Sequence, residues 1–380
     1  METPEIVLQG KENGEGMIIR YRSSRGTEVF GLAVPNLWGG EGWDLGPTWC
    51  YLLLGERTIL IDTGRFGNFE VLQQQLERIG RRLSDIEAII ITHSHEDHDG
   101  NLPEVINEAN PELWAHELYH CMISYYPEVK GNAPHPELPG SCRFCVMPES
   151  FYSECIPYHR RRSGLKVDLA LNEEVDLPVG GLAILSTPGH TPDSICIILD
   201  DEVIFTGDTV LPGITPHPSM ERAFEANRLI LPPRYQERNE VYGLMTYINS
   251  LRKISGLGSQ RFSATFPGHR LFYNGRFNLI HETSERAGEI IRFHMDRCGD
   301  ILRILGNGPK ALDDIAEEHF LPSQLKGSGR MMARSELTAH IEVMEVCGDV
   351  RWIDETGEMV EHTETYNCLN AIKEYLYDRA

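Results

Sequence analysis

Short apolar runs rich in β-branched residues recur along the first two thirds of the chain. Val29–Val34, Trp49–Leu54, Thr58–Ile61, Ile86–Ile91, Leu182–Leu185 and Val203–Phe205 are too short for most helices and predict buried strands. Several are followed closely by Asp, Gly or Pro-Gly, so the chain turns where each strand ends and offers a polar residue there. Beyond residue 284 the periodicity changes. Glu285 to Leu305 has apolar residues at helical spacing, and Gly306-Asn307-Gly308-Pro309 breaks it. Ala311–Phe320 reads as a short helix. A Gly-rich link at Lys326–Gly329 leads to a third helix over Ser335–Val346. Val350–Ile353 and Glu358–Glu361 then flank Asp354-Glu355-Thr356-Gly357, which predicts a β-hairpin.

The chain has 380 residues, enough for one large domain and a smaller one, and a net charge of −22. No apolar run approaches the ~20 residues of a membrane span. The first sixteen residues are polar and acidic, unlike a secretory leader. Nine cysteines without dense spacing favour a reducing compartment, so a cytoplasmic protein with no membrane partner is expected. Polyanion binders draw much of their affinity from Lys and Arg on phosphates, and this acidic balance disfavours them. The longest basic run is Arg160-Arg161-Arg162, beside His159. It reads either as a solvated charge cluster or as a clamp for one phosphorylated group such as the nucleotide end of coenzyme A.

The chemistry concentrates at residues 93–98, His-Ser-His-Glu-Asp-His. His93, His95, Asp97 and His98 are all ligands for a borderline divalent ion. The run follows the Ile86–Ile91 strand and precedes an Asp99-Gly100 turn, a strand-end loop on which a rigid scaffold presents side chains. A metal gives four ligating groups so close together a common purpose that packing does not.

His-x-His-x-Asp-His resembles the signature of the metallo-β-lactamase-fold hydrolases. Further segments match that family in order: Leu60-Ile61-Asp62-Thr63-Gly64, Thr187-Pro188-Gly189-His190-Thr191, Phe205-Thr206-Gly207-Asp208-Thr209 and Phe266-Pro267-Gly268-His269. The resemblance implies an α/β fold, an αββα sandwich over residues 1–284 with a dinuclear site where the strands end. It implies that His93, His95 and His190 hold one metal, that Asp97, His98 and His269 hold the other, and that Asp208 bridges them. Asp62 would orient a loop or an imidazole from behind. Two divalent ions are expected; zinc is favoured, and manganese and iron share the same ligand types. Metal-bound hydroxide would attack a carbonyl or phosphoryl group. Asp97 either orients that nucleophile and carries a proton or serves as ligand alone.

Residues 285–380 resemble the winged-helix-like domain appended in the lactamase-beta-two-like subgroup. That subgroup also carries a stretch matched by Gly207-Asp208-Thr209-Val210-Leu211-Pro212-Gly213-Ile214-Thr215-Pro216. DNA binding is not expected: residues 281–380 hold 20 acidic against 11 basic residues, and Ser335–Val346 carries Glu336, Glu342 and Glu345 without Lys or Arg. A packing role is expected instead, closing one side of the substrate cleft or forming a homo-oligomer interface.

Two insertions bear on the substrate. Pro35–Thr48 carries Trp38 and Trp43 among glycines and reads either as a flap over an apolar ligand or as a loop packed on the body. With His217, these tryptophans are the candidate pocket residues. The insertion at about 118–164 contains Cys121, Cys142, Cys145 and Cys155. They read either as a four-thiolate structural zinc site or as free buried thiols. Cys50, Cys196, Cys298, Cys347 and Cys368 read as small buried apolar residues. The favoured activity is hydrolysis of a small-molecule ester, foremost an acyl-CoA or similar thioester. A single-strand endoribonuclease and an iron-dependent oxidoreductase of the same fold are the alternatives.

Overall fold

The computed structural model describes residues 3–36, 43–124, 157–327, 329–354 and 358–368. Eight strands form the first sheet in chain order: β1 Glu5–Leu8, β2 Ile18–Arg22, β3 Glu28–Val34, β4 Thr48–Leu54, β5 Thr58–Ile61, β6 Ala88–Ile91, β7 Glu112–His116 and β8 Leu169–Leu171. Pairing is antiparallel as far as β5 and parallel from β5 to β8. The second sheet contains β9 Leu182–Ser186, β10 Ile195–Leu199, β11 Val203–Gly207 and β12 Ala264–Pro267, ordered β12-β11-β10-β9. A small hairpin, β13 Phe272–Tyr273 with β14 Arg276–Phe277, follows.

Alternation within the strands builds the layers. Ile59 and Ile61 of β5, Tyr51 of β4 and Ile90 of β6 face Ile195, Ile197, Phe205 and Phe266 of the second sheet, forming the core between the sheets. Leu60, Leu52, Ile89 and Ile91 point the other way, under the helices α1 Phe69–Arg78, α2 Leu102–Ala109 and α3 Tyr119–Ser124. The opposite face of the second sheet, with Cys196, Ile198 and Ile204, is covered by α5 Leu244–Ser255 and α6 Thr283–Leu305; a short helix, α4 Ala223–Asn227, precedes them. The order helix, sheet, sheet, helix is the expected αββα arrangement.

The C-terminal residues form α7 Leu312–His319, α8 Gly329–Val346 and a three-stranded sheet of β15 Lys310–Ala311, β16 Val350–Trp352 and β17 Met359–His362. The third helix starts six residues earlier than its periodicity predicts, because Arg330, Met331, Met332 and Ala333 are strong helix formers that carry it back to the glycine. Ile315, Leu337 and Ile341 lie in the same apolar cluster as Leu251, Ile291 and Ile204. Among the described residues, those of the C-terminal unit thus share one apolar cluster with the outer face of the second sheet. Among the described residues, no helix is long and apolar enough to cross a membrane. Cys50, Cys196, Cys298 and Cys368 are buried as expected, whereas Cys347 is only partly so.

One shared core predicts shared unfolding. Ile301→Ala in α6, a fully buried position of that cluster, should cost about 2–5 kcal/mol. It should lower one unfolding midpoint seen alike by tryptophan fluorescence and far-ultraviolet circular dichroism. Two separated transitions, only one of them shifted, would show independent cores.

Candidate metal centre

Five strand ends deliver the site. β5 ends in Asp62, β6 leads through Thr92 to the 93–98 turn, β9 leads to His190, β11 ends at Asp208, and β12 leads to His269. Three groups of ligand atoms form, each within 4.8 Å: His93, His95 and His190; His93, His98 and Asp208; Asp97, His98 and His269. Asp208 lies between the two outer groups, 3.7 Å from His190 Nε2 and 3.4 Å from His98 Nε2. Asp97 Oδ2 stands 3.1 Å from His269 Nε2.

Hydrogen bonds choose which ring nitrogen faces inward. Nδ1–H of His98 donates to Asp62 at 2.8 Å, that of His190 to the His217 carbonyl at 2.6 Å, and that of His269 to the Pro47 carbonyl at 3.2 Å. His93 Nδ1 meets Thr92 Oγ1 at 3.1 Å. Nε2 of these four rings is thereby left as a lone pair aimed into the site, and His95 presents Nδ1. Asp62 also accepts from Thr92 N at 2.8 Å and Thr92 Oγ1 at 2.7 Å, tying β5 to the start of the turn. Its backbone is left-handed, with φ 58°, an unusual conformation for a residue other than glycine.

The residues fit divalent cations. His95 Nδ1 lies 3.1 Å from His93 Nε2 and 3.2 Å from His190 Nε2, and His98 Nε2 lies 3.3 Å from His269 Nε2. Lone pairs at those distances repel unless a positive charge sits among them. Asp208 Oδ1 is buried without a hydrogen-bond partner, a costly state that a cation relieves. Gly268 makes room: a Cβ there would lie 2.5 Å from Asp208 Oδ1 and 2.8 Å from His98 Cε1. Gly189, at φ 124°, brings the His190 turn against the backbone of Tyr247, where no side chain fits.

Electrostatics divides the centre. Burial pushes His95 down to about 4 and His190 down to about 3, so both are neutral, ligating imidazoles at pH 7. Burial opposes the charging of His269 too, but Asp208 and Asp97 outweigh it and raise this ring to about 9, so that a proton holds its Nε2 where a cation would otherwise sit. The same carboxylates raise His98, while the two imidazoles hold Asp97 and Asp208 below the usual carboxylate range against the cost of burial.

A second network props the turn, and sequence reasoning missed it. Asp99, fully buried, accepts from Tyr119 Oη at 2.7 Å, from Arg162 Nη1 at 2.8 Å and from Tyr158 Oη. Arg162 Nη1 also donates to the Ser94 carbonyl at 2.8 Å, and Ser94 Oγ donates to Asp193 at 3.1 Å. Arg162 is thus neither a solvated charge nor a phosphate clamp. Its neighbour Arg161 pairs with Glu104 at the surface.

Other expected positions differ. Trp43 does not hang over the centre: Nε1 donates to the Gln324 carbonyl at 2.7 Å and the ring lies 5.9 Å from Phe320. It takes the packing alternative because the C-terminal unit supplies both a carbonyl and an aromatic face. Trp38 lies outside the described residues. His217 touches the centre through its carbonyl, while its ring faces Glu336 at 3.8 Å. Cys121 lies partly buried in α3; Cys142, Cys145 and Cys155 fall outside the described residues.

A family model for the Metallo-beta-lactamase superfamily matches residues 43–259. A Methanocaldococcus jannaschii protein named "Probable metallo-hydrolase" is 31% identical over 221 residues, 58% of this chain and 85% of that one. A Drosophila melanogaster "Beta-lactamase-like protein 2 homolog" is 25% identical over 264 residues, 67% of this chain and 70% of the relative. Among solved structures, a metallo-beta-lactamase family protein of Thermus thermophilus shares the fold. Its TM-score is 0.64 at 21% identity, covering 88% of this chain and 98% of that one.

Arg162→Met would leave the buried Asp99 without its counter-charge, held only by the two tyrosine hydroxyls, which should cost about 3–5 kcal/mol. Urea unfolding measures that loss. Metal retained after dialysis should fall with it, because the carbonyl of Ser94 loses its donor. A variant unchanged in both respects would show that this network does not hold the ligand turn.

Proposed function

This chain belongs to the metallo-beta-lactamase superfamily, and from that premise we propose a dinuclear hydrolase acting on an acyl-CoA or related thioester or ester. The observation that carries the hydrolytic reading is the convergence of seven ligating side chains, four of the five imidazoles fixed at Nδ1 so that Nε2 faces the centre. His93, His95 and His190 would hold one cation, Asp97, His98 and His269 the other, with Asp208 shared. Bound divalent ions, zinc by preference for this mixed nitrogen and oxygen set, supply a water acidified toward neutral pH and a Lewis acid for the carbonyl oxygen.

The chain's own groups set the geometry of attack. Asp97 Oδ2 accepts from Asn36 Nδ2 at 2.8 Å and from Thr48 Oγ1 at 3.4 Å, so its carboxylate is turned into the site from the β3–β4 side. Together these donors favour Asp97 as an orienting ligand over a mobile proton carrier.

Two observations support a small ester over a nucleic acid. The net charge of −22 opposes a polyanion, and the one three-arginine run is tied up in ion pairs at Arg161 and Arg162. An Aspergillus fumigatus protein named "Atrochrysone carboxyl ACP thioesterase" is 25% identical over 219 residues, 57% of this chain and 48% of that protein. Hydrolysis of a carbonyl next to sulfur is therefore the chemistry to test first.

Release of free thiol from a panel of aliphatic and aromatic acyl-CoA esters should be seen and should stop on chelation. His95→Ala and Asp208→Ala should each reduce turnover to background while the far-ultraviolet circular dichroism stays that of a folded protein. Full activity in either variant would remove the metal mechanism. No thiol release, with single-stranded RNA cut instead in a strongly salt-dependent way, would replace the thioester reading by a nuclease.

A further inference from the structure

His190 is oriented by an acceptor on a long loop outside the strand ends. The His217 carbonyl sits 27 residues downstream, in the segment that leaves Asp208 and runs to α4. That segment has few backbone partners of its own and is held by side chains from the C-terminal helices. Arg286 of α6 donates to the carbonyls of Leu211 and Ile214, both at 2.8 Å. Beyond His217, Glu342 of α8 accepts from the backbone N–H of Glu221 at 2.6 Å and of Arg222 at 3.3 Å, and it pairs with the Arg222 guanidinium. Ser219 between them donates from N and from Oγ to the Gly189 carbonyl, each at 2.7 Å, the residue just before His190.

Glu342 is 7% exposed, and its neighbour Glu336, facing the His217 ring, is 3% exposed. Buried carboxylates are costly unless every oxygen is used. Both oxygens of Glu342 are used on this one loop. Two of the three acidic residues of Ser335–Val346, Glu336 and Glu342, thus point into the protein.

We propose that Glu342 is a positioning residue for the metal centre: it fixes the 214–222 loop so that the His217 carbonyl holds His190 in its ligating orientation. The C-terminal unit is then a working part of the centre. This inference rests on the dinuclear reading given above, and it commits to the His93, His95 and His190 side as the half that depends on α8. The other half, held through Asp62 and Pro47, does not use this loop.

The test is titration of the metal-free, full-length protein with cobalt(II) against a chromophoric chelator, following the cobalt absorption bands. The wild type should bind two ions. Glu342→Gln should weaken one of the two by about 10–100-fold, with altered bands for that ion, and leave the other unchanged. Glu342→Asp, which keeps the charge but shortens its reach, should weaken the same site by less. It decides the matter alone if the Gln variant does not fold. Glu358→Gln removes an ion pair with Arg334 inside the C-terminal unit and should leave both ions bound as in the wild type. Wild-type titration of the Glu342 variants would overturn the proposal, as would equal weakening in Glu358→Gln, which would mean general loosening. A wild-type protein that binds no cobalt would instead overturn the metal reading itself.

Discussion

Ligand atoms crowded so closely that a positive charge must sit among them are what the rest of this structure has to support. Imidazole nitrogens approach one another at 3.1–3.3 Å, and a carboxylate oxygen of Asp208 lies among them with no donor. A packed interior does not assemble such a set unaided, because every member loses its hydration and gains repulsion. The imidazoles are accordingly braced from behind. Asp62 holds His98 and Thr92, Pro47 holds His269, His217 holds His190, and Asp99 with Arg162 holds the turn that carries His95. The two-sheet scaffold serves this end by bringing five strand ends to one edge, so that ligands separated by up to 176 positions meet.

How far this was legible from the sequence depends on distance along the chain. The strands were readable because β-branched runs such as Ile89–Ile91 and Thr58–Ile61 state their burial locally. The 93–98 ligands were readable because their chemistry is dense within six residues, and His190, Asp208 and His269 through the short motifs around them. The braces were not. Asp99 and Arg162 are 63 positions apart, and nothing local distinguishes Arg162 from its exposed neighbour Arg161. Trp43 was equally opaque, since its partners Gln324 and Phe320 lie on the far side of the chain.

The C-terminal residues show how composition misleads when burial is unknown. An acidic helix argues against DNA only if its acids face solvent, and two of the three in Ser335–Val346 do not. Glu336 pairs with Arg297, and Glu342 is spent on the 221–222 backbone. What bears on groove entry is burial of the helix itself, with Leu337, Ile341 and Met344 in the common core, rather than its acidity.

Burial of these glutamates also sets the relation between fold and chemistry. Removing Glu342 from its partners would leave a buried carboxylate unpaired, so α8 and the 221–222 backbone of the 214–222 loop support one another. The same loop presents the carbonyl that selects the His190 tautomer. A change at the C-terminal unit therefore reaches the metal centre through three consecutive hydrogen-bonded elements, without any movement of the sheets.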